Sequence, residues 1–151
     1  MDKKPLISVI VPVFNEVENV RPLYQRLSAV FDGLKKRFDF EIVFTDNHSD
    51  DGTFNALAEL AETDKRIRVF RFSKNFGFQR SIMTGYLKAR GESGLALPKP
   101  LPRFAHGEAS ALPDGITLIP SYHPSQQNTF TGTLTEEMFD RVWARARALI
   151  G

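Results

Sequence analysis

ISVIVPVFNE at residues 7–16, EIVFTDNHSDDGT at 41–53 and RFSKNFGFQRSIMTGY at 71–86 decide the fold of this chain. Leu6–Val13 is a near-continuous β-branched run, as expected of a strand covered on both faces. Val20, Leu23, Leu27, Val30/Phe31 and Leu34 then recur at helical spacing and predict an amphipathic helix to about Arg37. Phe40–Thr45 reads as a second strand. After Asp50-Asp51-Gly52 a helix turns Phe54, Leu57, Leu60 and Ala61 inward, with acidic residues at its start where the helix dipole favours them. Ile67–Phe72 is a third strand, and Phe78–Ala89 a third helix with Ile82, Met83, Tyr86 and Leu87 as its stripe. Strands alternating with helices predict a parallel sheet with right-handed crossovers.

Beyond residue 92 the character of the chain changes. Residues 1–92 hold 15 basic and 13 acidic residues with three prolines, whereas residues 93–151 hold five of each charge and six prolines. Pro98, Pro100 and Pro102 alternate and must be extended, because proline fixes φ and restricts the residue before it. Ile116–Ile119 reads as a short strand that stops at Pro120. A final helix opens at Thr133-Leu134-Thr135-Glu136, a capping-box pattern, and carries Met138, Phe139, Val142, Trp143, Ala146 and Leu149. The expected fold is α/β and three-layered, with a mostly parallel sheet: β-α-β-α-β-α plus a further strand and a C-terminal helix. A small four-stranded sheet would satisfy that order. The expected division is residues 1–92, a proline-rich seam at 93–103, and residues 104–151.

Of the 151 residues 42% are apolar and 25% charged, an ordinary globular balance that excludes global disorder. Lys3 and Lys4 before the first apolar run imitate a signal peptide, but no small-x-small cleavage site follows, so a buried first strand is expected. No apolar stretch is long enough to form a transmembrane segment, and a cytoplasmic location is the expectation. The absence of cysteine excludes disulfides, thiolate metal sites and iron–sulfur clusters.

In an open α/β sheet, ligands bind beyond the carboxyl ends of the strands. Here those ends are polar: Asn15-Glu16, Asp46-Asn47 and Ser73-Lys74-Asn75. Asp46 can accept a hydrogen bond from a nucleobase N–H, and backbone N–H groups at a helix start can take phosphate. The same residue types also serve as loop and cap residues, and the residues alone leave both readings open. An EF-hand is excluded, because aligning Gly52 to loop position 6 puts Ala58 where position 12 requires Glu. No P-loop and no G-x-G-x-x-G follows any strand. His48 has no partner at a recognised metal spacing.

The three quoted motifs, in this order over about residues 5–92, resemble the start of family-2, GT-A-fold inverting glycosyltransferases of the polyprenyl-phosphate (dolichol-phosphate) sugar transferase type. The resemblance implies that Pro12, Phe14, Asn15, Glu16 and Asp46 hold the nucleoside of a UDP- or GDP-sugar. It also implies that Lys74, Asn75 and Gly77 help close the donor pocket. Asp46-Asn47 stands where the family has Asp-Asp. The family continues into a fourth strand whose Asp-x-Asp motif holds a divalent metal. After Glu92 the only aspartates are Asp114 and Asp140, so that motif is absent and no metal ligand is assigned.

SYHPSQQNTFTG at 121–132 concentrates hydroxyl, amide and imidazole groups in one loop. Ser125 and Thr129 could meet phosphates, and Gln126, Gln127 and Asn128 base edges. A polar surface loop with Pro124 as turn former is the plainer reading. About residues 94–150 resemble the C-terminal end of iron–sulfur-type uracil-DNA glycosylases. That likeness implies that His123 stabilises charge on a flipped uracil, Ser125 clamps phosphate and Gln126–Asn128 wedge into the vacated stack. His106 matches a family position without an assigned role; a structural loop histidine fits equally. The glycosylases' water-activating motif, stacking aromatic and cluster cysteines have no counterpart upstream. The two resemblances together describe a chimera in which neither catalytic apparatus is complete. Three functions stay open: binding of UDP or GDP without transfer, contact with uracil-containing DNA, and a ligand-free scaffold.

Overall fold

The computed structural model describes residues 4–89, 105–112, 117–122, 128 and 130–150. Strand β2, Asp39–Asp46, sets the architecture, because every residue after Asp39 is buried and both its faces need cover. Side chains alternate along a strand, so Phe40, Ile42 and Phe44 face one way and Glu41, Val43 and Thr45 the other. Strands β1, Leu6–Val13, and β3, Ile67–Arg71, flank it in parallel, in the order β1-β2-β3. Leu6 pairs with Asp39 and Val13 with Asp46, while Ile42 pairs with Ile67 and Asp46 with Arg71. All three strands therefore finish level, at Val13, Asp46 and Arg71.

The first face is covered by helices α1, Val17–Leu34, and α2, Thr53–Thr63. Val20, Leu27, Phe31, Leu57 and Leu60 pack in one cluster with Phe40, Ile42 and Phe44. The Phe31 ring stacks on Phe40 at 4.2 Å between centroids. Phe44 and Leu57 have no exposed surface, and each such side chain stabilises the fold by about 1.5–3 kcal/mol. The C-terminal end of α2 is tied back by Asp64, which accepts hydrogen bonds from the Tyr24 hydroxyl at 3.0 Å and the Arg66 Nη2 at 2.7 Å.

The second face is covered by helix α3, Phe78–Lys88, whose contact surface differs from the expected stripe. Tyr86 is buried, but Leu87 is 44% exposed; Ser81 and Gly85, one turn apart, form the rest of the buried line. The Ser81 hydroxyl donates to the Thr45 Oγ1 at 2.9 Å. A Cβ built on Gly85 would lie 2.3 Å from the Ile10 Cγ2, so the helix lies close against β1 because this position has no side chain. The fully buried Glu41 on this face accepts a hydrogen bond from the Ser8 hydroxyl at 2.6 Å and pairs with Arg68 at 3.4 Å. Arg68 also donates to the Lys88 carbonyl, so one cation serves both the buried carboxylate and the end of α3. The three layers are α1/α2, the parallel sheet and α3, as the α/β expectation requires.

The chain divides into two compact units, Met1–Ser93 and Gly94–Gly151. Pro98, Pro100, Pro102 and the whole 93–103 seam lie outside the described residues. The second unit supplies the further strand in a sheet of its own, not in the four-stranded sheet that the element order allows. Strand β5, Thr117–Leu118, pairs antiparallel with β4, Ser110–Ala111, in a separate two-stranded sheet. Helix α4, Glu136–Ile150, is capped by Thr135, whose hydroxyl accepts the Met138 N–H at 3.2 Å. Thr133, the expected capping-box residue, instead shares a 2.9 Å hydroxyl contact with Thr131. Of the expected α4 stripe Val142 is buried, while Trp143 is 40% and Leu149 52% exposed.

Gly85→Ala is expected to lower unfolding stability by about 1–3 kcal/mol, since a methyl there overpacks a stiff β-branched neighbour; urea denaturation reads it, and an unchanged midpoint would contradict the close α3–β1 contact. Asp64 supplies a pH signature. The Arg66 side-chain hydrogen bonds hold its carboxyl at about 2 against an ordinary 3.8, with burial opposing. A depressed carboxylate contributes its full stability above its unfolded value and loses it as the pH falls through the folded one. Between about pH 4 and pH 2 the protein should lose on the order of 2 kcal/mol through this group. Asp64→Asn should flatten that part of the stability profile.

Candidate functional site

The level strand ends bring three loops to one edge of the sheet. Asp46 closes β2, is fully buried, and divides its carboxylate between two jobs. Its Oδ1 accepts the Ser49 N–H at 3.1 Å and the Ser49 hydroxyl. Its Oδ2 lies 3.3 Å from the Arg71 Nε but accepts no hydrogen bond among the described residues. Arg71 is held by its Nη2 donating to the Ser49 carbonyl at 2.8 Å and by the Phe54 ring, 4.9 Å from its Cζ.

The β1–α1 and β2–α2 loops are stitched together by three consecutive backbone N–H groups. Asn15 N–H donates to the Ser49 hydroxyl at 2.9 Å, Glu16 N–H to the Thr53 hydroxyl at 2.8 Å and Val17 N–H to the Asp51 Oδ2 at 3.1 Å. Asn15 returns a bond, its Oδ1 accepting the Asp50 N–H at 3.1 Å. These contacts satisfy donors that a helix start leaves unpaired. Burial pushes the Asp51 carboxyl up, but the bonds from the Thr53 hydroxyl and the Thr53 and Val17 N–H groups outweigh it and hold the carboxyl below its ordinary value. Asn15 and His48 both take positive φ, 54° and 67°, a conformation costly for residues other than glycine. His48 Nδ1 sits 3.1 Å from the Phe72 carbonyl, a loop contact.

Asn47 is a strut as well as a neighbour of Asp46. Its Oδ1 accepts the Phe76 N–H at 2.9 Å and its Nδ2 donates to the Asn75 Oδ1 at 2.7 Å. Asn75 Oδ1 also accepts the Gly77 N–H at 2.8 Å, and Gly77 holds φ at 86°. The β3–α3 loop is thereby fixed to β2. Lys74 and Arg80 lie over the Phe76 ring, 5.3 and 5.8 Å from its centroid. Phe14 is 47% exposed at the end of β1, and Pro12 is half-buried within it. The structure thus brings Phe14, Asn15, Glu16, Asp46, Asn47, Lys74, Asn75 and Gly77 to the loops at one sheet edge. Sequence reasoning missed Ser49, Thr53 and Arg71. The signal for Arg71 was its place at the end of the third strand, level with Asp46.

His123, Ser125, Gln126, Gln127 and Thr129 lie outside the described residues. Asn128 contributes its carbonyl, which accepts the Leu134 N–H at 2.9 Å. His106 is an internal brace of the second unit. Tyr122 N–H donates to its Nδ1 at 3.1 Å, its Nε2 is 3.1 Å from the Met138 carbonyl, and its ring stacks on Tyr122 at 5.1 Å. With Nδ1 accepting, the proton sits on Nε2, which donates to Met138.

No three His, Cys, Asp or Glu side chains among the described residues converge as a metal site. No described helix is long and apolar enough to cross a membrane.

Comparison with known proteins places this edge in context. Putative glycosyltransferase CsbB of Bacillus subtilis (strain 168) is 34% identical over 95 residues, 63% of this chain and 28% of that protein. Type-5 uracil-DNA glycosylase of Mycobacterium bovis is 46% identical over 65 residues, 43% of this chain and 23% of that protein. Among solved structures, mannosyltransferase PcManGT from Pyrobaculum calidifontis, in complex with GDP-Man and Mn2+, covers 58% of this chain and 25% of its own, with 25% identity and a TM-score of 0.46. The chain spans less than a third of the length of each of these proteins. The model of glycosyl transferase family 2 matches residues 8–97, well over half of the 151 residues, and the chain belongs to that family.

Proposed function

We propose that the Met1–Ser93 unit binds the nucleoside diphosphate of a nucleotide-sugar, UDP or GDP, without transferring a sugar. In the same reading the chain is a fusion, with a uracil-DNA-glycosylase-type tail following the donor-binding half. The observation that carries the first part is the Asp46 Oδ2: buried at the end of the central strand, 3.3 Å from the Arg71 Nε, and accepting no hydrogen bond among the described residues. The Arg71 ion pair leaves that oxygen without a well-formed hydrogen bond, and a nucleobase N–H is a donor that would supply one. The positive φ of Asn15, beside it, is strain of the kind that ligand loops store. Among the described residues no side-chain hydrogen bond caps α3, and Lys74 and Arg80 stand near its start, which favours an anionic group there.

Transfer needs more than a base site. The family's metal neutralises the donor diphosphate, a role for which these 151 residues offer no Asp-x-Asp. The fusion is supported by the glycosylase relative at 46% identity over 65 residues and by the end of the glycosyltransferase match at residue 97. Residues 93–151 carry five positive and five negative side chains, which gives no electrostatic footprint for DNA and favours the nucleotide as ligand.

UDP at about one hundred times its Kd should raise the stability of the chain by about 2.7 kcal/mol, read as a higher urea midpoint by far-UV dichroism. Asp46→Asn keeps the size of the side chain and the acceptor for Ser49 but replaces the ionised oxygen, and should erase the shift. A dichroism spectrum equal to that of the parent establishes that the variant is folded. An unshifted parent, or a variant shifted as much as the parent, sinks the proposal and leaves a ligand-free scaffold.

A further inference from the structure

The second unit holds a cleft that the nucleoside reading leaves unused. The His106–Gly107 loop walls it on one side and α4 on the other, where Met138, Arg141 and Arg145 complete the lining of about 510 Å³. These three helix residues follow one another at spacings of three and four, so they stand in a row on one face. His106 is a fixed wall, since Tyr122 and Met138 engage its two ring nitrogens. Gly107, with φ at 72°, adds no side chain, and its N–H is given to the Pro120 carbonyl at 2.8 Å.

His106 spends its polar atoms inside the unit; the two arginines do not. Arg145 has no hydrogen bond or ion pair among the described residues. Arg141 meets only Glu137, at 3.5 Å, and with 67% and 82% of these side chains exposed the pair holds it weakly. Like charges one turn apart on a helix repel each other. No carboxylate lines the cleft to offset them, and an anion between the two guanidiniums would.

We propose that this cleft binds a small phosphate monoester, with Arg141 and Arg145 on the phosphate and the organic part over Met138. Each guanidinium is a planar fork that matches two oxygens. A carboxylate is filled by one such fork, whereas a phosphate has oxygens for both. The volume exceeds what a phosphate alone requires and falls within the range of about 300–1,000 Å³ found for small-molecule sites. The Met138 thioether gives the organic part an adaptable apolar surface. A nucleic-acid strand draws on charge spread well beyond one pair, and residues 93–151 balance five positive side chains against five negative.

Isothermal titration of the full chain with inorganic phosphate and with phenyl phosphate, at constant ionic strength, is the test. Both should saturate a single site, phenyl phosphate the more tightly. Arg141→Gln and Arg145→Gln should each weaken binding at least about tenfold, while Arg147→Gln, outside the lining, should leave it unchanged. Trp143, the one tryptophan, lies on α4 and gives a second readout: saturating phenyl phosphate should raise the urea midpoint followed by its fluorescence. A dichroism spectrum equal to that of the parent establishes that each variant is folded. No saturable binding, or an equal loss in Arg147→Gln, overturns the site. Equal affinity for the two probes overturns the monoester assignment and leaves a phosphate site. A short DNA duplex that binds through Arg141 and Arg145, where phenyl phosphate does not bind, overturns the small ligand in favour of a nucleic-acid contact.

Discussion

A carboxylate taken fully out of water must be met by donors, and the demands of Asp46 organise the edge of the sheet around it. Ser49 answers with its N–H and hydroxyl, which sets the conformation of the β2–α2 loop. That hydroxyl then accepts from Asn15, so the β1–α1 loop inherits its position from the same carboxylate. Arg71 approaches the other oxygen from β3 and is anchored on the Ser49 carbonyl. Main-chain bonds complete the set, with Phe72 N–H donating to the Asp46 carbonyl and Asn47 N–H to the Val13 carbonyl, each at 2.9 Å. Truncating the side chain would loosen three loops together, whereas the isosteric amide keeps the acceptor for Ser49, which is why it is the informative replacement.

The repeating pattern of strands and helices was legible because it rests on periodicity. Leu27 and Phe31 fall one turn apart and both end in the core, and Leu57 and Leu60 do the same on α2. Periodicity is silent about polar partners. Glu41 interrupts an apolar strand yet is as buried as its neighbours, because Ser8 and Arg68, distant in sequence, supply its donor and countercharge. The α3 face was misjudged for a related reason. Large apolar residues advertise a stripe, whereas Ser81 and Gly85 make contact by being small enough to let the helix approach, and hydropathy gives such residues little weight. At the candidate site, residue type picked out the polar strand ends, but Asn47 spends its amide holding the Asn75–Gly77 loop, and only coordinates separate a strut from a free ligand group.

The second unit was read less well because its short elements carry little pattern. β4 and β5 have two residues each, too few for alternation to register, and their antiparallel pairing depends on hydrogen bonds that no local sequence encodes. His106 belongs to the same class of feature. Its sequence context allowed a functional or a structural role, and the two hydrogen bonds to Tyr122 and Met138 commit both ring nitrogens to the fold. A histidine so committed has no free nitrogen for a ligand. In the described part of this unit, polar chemistry is spent on holding a small structure together, where apolar burial is limited to residues such as Leu112, Leu134 and Val142.

Base recognition and diphosphate neutralisation are physically separable tasks, and the proposed function asks only the first of this chain. The first needs a few fixed donors and acceptors on adjoining loops, which the ends of β1, β2 and β3 supply through the register that levels Val13, Asp46 and Arg71. The second needs charge placed where the phosphates lie, and the family draws it from a strand that follows the third helix. In the proposed reading, a chain that keeps the first three strands and has no Asp-x-Asp holds a base site without the charge that transfer needs. Such a site would still select among nucleotides by hydrogen-bond pattern, because selection depends on which buried groups go unpaired and not on whether the bond beyond the phosphates is ever broken.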